Sequence, residues 1–111
     1  MVERFSVTLR VTEDDAMSEL LLRGEFDFST TRGVLDTAAS ALSGDSVRRL
    51  VVDLADVSFI DSSGIGALVN IYRMSRATGC LAVLRDPTPA TAAVLKLTAV
   101  DRLFDEDDEA V

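Results

Sequence analysis

The sequence predicts an α/β domain built on a mixed sheet, and two observations carry that expectation. From Leu35 onward, short apolar runs alternate with stripes of helical period, which implies parallel strands joined by right-handed crossovers. Before them, two extended segments follow each other across one polar turn, which implies an antiparallel hairpin at the N-terminus. The resulting order is β-β-α-β-α-β-α plus a tail, with four or five strands in the sheet and the helices packed on it.

Each element has its own signal. Phe5, Val7, Leu9 and Val11 alternate with Ser6, Thr8 and Arg10, the period of a half-buried strand. Thr12 to Ala16 reads as a polar turn. Met17 to Arg23 reads as the antiparallel partner, ended by Gly24-Glu25-Phe26-Asp27. Leu35, Ala38, Ala39 and Leu42 mark one face of a helix that Ser29 or Thr30 can cap and Ser43-Gly44-Asp45 stops. Leu50 to Leu54 is short and apolar throughout, as in a strand buried on both faces. Ala55 to Asp61 is expected to be a connection. Ile65, Leu68, Val69 and Tyr72 form the next helical stripe, running to about Ala77 and closed by Thr78-Gly79. Cys80 to Leu84 is the next buried strand. Thr88-Pro89 looks like an N-cap followed by proline at the first helical position, with a helix through about Leu97. Val100 to Phe104 is expected to form a short final element.

With 111 residues, the chain suits one domain, with a core over about residues 3–104 and an acidic tail over 105–111. A hydrophobic fraction of 48% is enough to fill one core. No apolar run approaches the length of a membrane span, and Met1-Val2-Glu3-Arg4 does not open a signal peptide. Cys80 is the single cysteine and sits in an apolar run, so core packing is its expected role. These features predict a cytoplasmic protein without membrane insertion. The net charge of −8 argues against direct contact with nucleic acid, whose phosphates must be neutralised by Lys and Arg. With no histidine and one cysteine, neither histidine-dependent catalysis nor a zinc cluster is available, and no cofactor or metal is expected. The run Asp105-Glu106-Asp107-Asp108-Glu109 reads as a solvated, frayed tail.

In open α/β sheets, functional loops lie past the carboxyl ends of the parallel strands. One such loop carries Asp27, and another carries Phe59-Ile60-Asp61-Ser62-Ser63-Gly64-Ile65-Gly66. A β-α-β unit links the two strands, so both loops should open on one edge of the sheet and bring Asp27 near Ser62. Asp61-Ser62-Ser63 has two readings. It can simply cap the helix that follows. It can also present a modifiable hydroxyl. Gly64 and Gly66 are poor choices for a stable helix start, since each costs about 0.8–1 kcal/mol relative to alanine. They are expected to leave the backbone open to a phosphate, a kinase active site or a flat partner surface. A phosphate on Ser62 is expected to meet the unpaired N–H groups and positive dipole end of the first turn. The fold would then tolerate it, while a docked partner would not.

Phe59-Ile60-Asp61-Ser62-Ser63-Gly64-Ile65-Gly66-Ala67-Leu68 closely resembles the phosphorylation motif of bacterial anti-sigma factor antagonists, the STAS domain family. Gly24-Glu25-Phe26-Asp27 resembles that family's Gly-Glu-(apolar)-Asp segment, and Val51-Val52-Asp53-Leu54 its central strand. The resemblance implies a non-enzymatic partner switch. The unphosphorylated form binds an anti-sigma factor that is also a serine kinase of GHKL type, freeing a sigma factor for transcription. Phosphorylation ends the interaction, and a PP2C-type phosphatase resets it. By the same resemblance, Ser62 is the phosphoacceptor, with Ser63 the runner-up, and Asp27 is the acidic recognition residue. Asp61, Ser63, Gly64, Ile65 and Gly66 complete the expected partner-binding segment. Two further roles exist for such domains, as a scaffold subunit in a stress-signalling assembly or as a subunit of a membrane lipid-transport ABC complex. A serine enzyme is disfavoured, because Ser62 has no histidine to activate it and its segment is not a nucleophile elbow. A nucleotide-binding loop would need its own lysine, and Lys96 is the only one.

Overall fold

The computed structural model describes residues 5–11, 16–44 and 47–109. Its elements are β1 (Ser6–Val11), β2 (Met17–Phe26), α1 (Thr31–Ala41), β3 (Arg49–Ile60), α2 (Ser62–Ala77), β4 (Leu81–Arg85), α3 (Pro89–Leu97) and α4 (Val100–Glu109). The sheet order is β1-β2-β3-β4, antiparallel in the first pair and parallel in the other two. The expected mixed sheet and N-terminal hairpin are therefore present, with four strands among the described residues. The last segment does not add a fifth. It is a helix, and its backbone continues through Glu109 into the acidic run expected to fray. The polar turn over 12–15 lies outside the described residues, as do Met1 to Arg4 and Asp45.

The largest difference from expectation is in β3. Ala55 to Ile60, expected as a connection, is strand, and two irregularities explain why its pattern hides. Leu21 pairs with Asp53 but Arg23 with Asp56, and Gly24 pairs with Val57 but Glu25 with Phe59. At each place β3 carries one more residue than β2, which is a β-bulge. Core-facing positions thus run Leu50, Val52, Leu54 and then Val57 and Ile60, all buried. A period of two becomes a period of three, and alternation disappears from the sequence.

The helices also face the core on slightly different stripes than large apolar residues suggest. In α1 the buried positions are Val34, Ala38 and Ala41, while Ala39 is exposed. In α2 they are Gly64, Ala67, Leu68, Ile71, Tyr72 and Ser75, with Ile65 and Val69 half-buried at the rim. Small side chains on the inner stripe let each helix lie close to its neighbours. They carry little weight in a count of hydrophobic spacing. Phe26, Leu20, Leu50, Leu54, Leu68, Ile71, Leu95 and Phe104 fill the core. Tyr72 meets Phe104 edge-on at 5.5 Å between ring centroids, fastening α4 to α2. Cys80 packs in this core as expected, and burial pushes its thiol pKa up.

A chain of ion pairs crosses the strands outside that core. Glu19 accepts from Arg10 at 3.0 Å and meets Arg85 at 2.6 Å, and Arg85 in turn meets Asp53 at 2.7 Å. Val51, in register with Glu19 and two residues before Asp53, is buried yet lies outside the main core cluster. Among the described residues, no helix is long and apolar enough to cross a membrane.

Candidate functional site

The two bulges in β3 decide where its end arrives. Ile60 stands in register with Phe26, the last residue of β2. The Asp61 N–H then donates to the Phe26 carbonyl at 3.3 Å. Asp27 and Asp61 therefore leave the sheet from adjacent strand ends, on one edge, as the β-α-β connection predicted.

Asp61 is the N-cap of α2. Its Oδ1 accepts from the N–H of Ser63 at 2.9 Å and of Gly64 at 3.0 Å. The capping reading of this aspartate is thus physically realised, and it changes the expected fate of a phosphate. The donors of the first turn beyond Ser62 are already taken by a carboxylate, so a phosphate on Ser62 would compete with Asp61 for them. Ser62 itself is the first residue of α2 and is exposed, whereas Ser63 is half-buried. Accessibility ranks the two hydroxyls in that order.

The glycines have different jobs. A Cβ on Gly64 would lie 2.6 Å from the Phe26 carbonyl oxygen and 2.7 Å from Ile60 Cγ1. Gly64 is buried, and its bare backbone serves the close approach of α2 to the ends of β2 and β3. It is not open to a partner, which corrects the expectation for this residue. Gly66 is exposed, with nothing within 4 Å of where a Cβ would stand. Ile65 is half-buried against the core, leaving Ser62 and Gly66 as the most outward positions of the segment.

On the β2 side, Asp27 organises a turn rather than a helix cap. Its Oδ1 accepts from the Ser29 N–H at 2.9 Å and from the Ser29 hydroxyl at 2.6 Å. The Asp27 N–H donates to Thr30 Oγ1 at 2.9 Å, and the Thr30 N–H donates back to the Asp27 carbonyl at 3.1 Å. Thr30 holds the N-cap position of α1, with no side-chain capping bond. The Ser29 hydroxyl, more than any other group, holds the Asp27 carboxyl below the usual carboxylate range, so it is anionic at neutral pH. The turn also presents Phe28 with 80% of its surface exposed, a feature the sequence reading did not single out. Phe26 and Phe28 share a strand-like spacing, and only the end of β2 between them sends the second ring into water.

Beyond this edge, a cleft of about 110 Å³ between β3 and α3 is lined by Ser58, Phe59, Ile60, Ala90, Thr91 and Val94, without a charged group. Among the described residues, no group of three or more Asp, Glu or Cys side chains converges as metal ligands would.

Comparison with known proteins agrees with this architecture. The family model for the STAS domain matches residues 8–110. An anti-sigma factor antagonist from Mycobacterium paratuberculosis is 31% identical, with a TM-score of 0.70 over 96% of this chain and 94% of that one. The anti-sigma factor antagonist SpoIIAA in its unphosphorylated form is 20% identical, with a TM-score of 0.77 over 88% of this chain and 84% of its own. The phosphorylated form of SpoIIAA, a Bacillus cell fate determinant, has a TM-score of 0.70 at the same identity, over 88% of this chain and 87% of that one. With the family model spanning nearly the whole chain, and a 31% identical relative matched end to end, this protein belongs to the STAS domain family.

Proposed function

We propose that this chain is an anti-sigma factor antagonist whose binding to an anti-sigma factor is ended by phosphorylation of Ser62. The observation that carries the reading is the exposed Ser62 hydroxyl at the first position of α2, on the sheet edge that also carries Asp27 and Asp61. The kinship with antagonists, one of which has a phosphorylated form, supports it. The anti-sigma factor is itself a serine kinase of GHKL type. Its active site transfers the γ-phosphoryl of ATP to Ser62 Oγ, the hydroxyl proton passes to a kinase base, and ADP leaves. A PP2C-type phosphatase hydrolyses the ester and restores the binding form. The cycle takes place in the cytoplasm, where the released sigma factor acts on transcription.

The chemistry of the edge explains why one phosphate suffices. Phosphoserine adds about −1.5 to −2 charge at neutral pH. It would stand beside Asp61, on the edge that also carries Asp27, and the Ser63 and Gly64 N–H groups are held by Asp61. The domain gains little by refolding around it, while a docked partner must desolvate it next to like charges. Such juxtaposition costs roughly several kcal/mol at an interface, and about 1.4 kcal/mol is tenfold in affinity.

The test incubates the chain with ATP and the GHKL-type serine kinases of its own genome, maps the modified residue by mass spectrometry and measures binding by calorimetry. Phosphate on Ser62, with affinity lowered about tenfold or more and amide shifts confined near residues 27 and 60–66, is the expected result. Phosphate on Ser63 alone refutes the assignment, and unchanged affinity after phosphorylation refutes the release step.

A further inference from the structure

We infer that Phe28 is the apolar anchor of the Ser62 edge, seated on binding in an apolar pocket with a basic rim on the partner protein. The inference rests on the reading of that edge as a partner-binding surface. Single exposed hydrophobic residues are ordinary, and Leu97 and Val11 are examples at 88% and 46% exposure. Phe28 differs from them in how it is held and in where it stands.

Its neighbours in the chain are locked to each other, Asp27 Oδ1 accepting from both the N–H and the hydroxyl of Ser29. The Phe28 carbonyl accepts from the Thr31 hydroxyl at 3.2 Å. A hydrogen-bonded turn thus projects the ring into water, and little backbone freedom remains to be lost when the ring is buried by a partner. A rigid aromatic ring with two rotatable bonds is the type of group that dominates interface energy. Register places this turn beside Asp61 and Ser62, through the pairing of Phe26 with Ile60. Along this edge, Glu25 and Asp27 flank the ring in the chain and Asp61 follows the register partner of Phe26, against the one exposed cation Arg32 in the first turn of α1. An apolar prong in an acidic setting is complemented by an apolar pocket ringed by Lys or Arg. The Ser62 phosphate would enter the same interface.

The chain contains no tryptophan, so Phe28→Trp installs a single indole reporter at the proposed anchor. The probe is the purified GHKL-type serine kinase that modifies Ser62. Binding is measured by calorimetry for the wild type, for Phe28→Ala, and for Val11→Ala at the far end of the sheet, where Val11 pairs with Ser18. Phe28→Ala is expected to weaken binding by about tenfold or more at an unchanged melting temperature, since the ring is already in water. Val11→Ala should bind as the wild type does. The indole emission should move to the blue on mixing, and stay unmoved when Ser62 is phosphorylated first. If the wild type binds while Phe28→Ala binds within about twofold of it, the anchor is overturned and the Ser62 reading stands. An indole that stays in water in the complex overturns it equally, even if Phe28→Ala has lost affinity through misfolding. If no such kinase binds or modifies the wild type, the Ser62 reading fails and the anchor fails with it.

Discussion

Replacing each of the two glycines near the start of α2 by alanine separates helix propensity from packing. In a helix interior, Gly→Ala gains about 0.8–1 kcal/mol, because alanine loses less backbone entropy on folding. At Gly66 nothing stands within 4 Å of the new methyl, so Gly66→Ala should realise most of that gain. At Gly64 the same methyl meets the Phe26 carbonyl oxygen at 2.6 Å and Ile60 Cγ1 at 2.7 Å. Neither neighbour can yield cheaply. The carbonyl accepts the Asp61 N–H, and Ile60 is buried at the end of β3. Overpacking of this kind costs about 1–3 kcal/mol, and contact with backbone places it in the upper part of that range. Because the propensity gain is common to both variants, the difference between them reports the steric cost alone, on the order of 2–3 kcal/mol. For a domain near 100 residues, about 1 kcal/mol moves Tm by roughly 4 °C or more. Circular dichroism melts should therefore place Gly64→Ala at least about 8 °C below Gly66→Ala, with the wild type between them. Equal melting temperatures for the two variants would refute the assignment of Gly64 to close packing, and would return it to the partner-accessible surface.

Asp61→Ala should lose about 0.5–2 kcal/mol through the missing cap, while Asp61→Asn, which keeps an acceptor oxygen, should melt within about 2 °C of the wild type; chemical denaturation checks both. Asp27→Asn keeps the acceptor for Ser29 but removes the charge, so kinase affinity should fall while Tm is unchanged, and a matching loss of stability would point to a purely structural role. Hydrogen bonds from Arg10 and then Arg85 lower the Glu19 pKa from its ordinary 4.5, so Glu19 stabilises the fold above that pH. The contribution disappears as pH falls through the lowered value. A denaturation series from pH 6 downward should show this loss below about pH 4.5, and Glu19→Gln should flatten that part of the profile.

The fold was legible wherever side-chain size and strand period cooperate. The alternation in β1 and the apolar run at Leu50 to Leu54 point directly to strands, and Met17 to Arg23 to the partner of the first, although β2 runs on to Phe26. The second half of β3 was hidden because two bulges reset its phase, and no single sequence displays the partner strand that defines a bulge. The periodicity of α1 and α2 identifies both helices and part of their inner faces: Ala38, Leu42, Leu68 and Tyr72 are buried as expected, whereas Leu35, Ile65 and Val69 lie at the rim and Ala39 is exposed. The structure buries Ala41 and Gly64, whose contribution is the absence of a side chain. The site was legible as a motif at strand ends. The unusual placement of Gly64 was visible too, although its cause is an internal carbonyl and not an external ligand. Phe28 was not visible as a surface group, because nothing local distinguishes a phenylalanine that ends a strand from one that has just left it.

The bulges and the cap together determine what the site can do. Two extra residues in β3 carry Ile60 to the level of Phe26, and only at that level can the Asp61 N–H reach the Phe26 carbonyl. That bond fixes Asp61 as the residue before α2, and its carboxylate then accepts the Ser63 and Gly64 N–H groups. A helix N-terminus is ordinarily an anion site, but here the anion is built into the chain. A phosphate on the next residue would therefore reach the Ser63 and Gly64 donors only by displacing Asp61. With or without that displacement, the edge carries one more uncompensated anionic group than before. The strain of phosphorylation would fall on whatever docks at that edge, while the core behind Gly64 stays as it was.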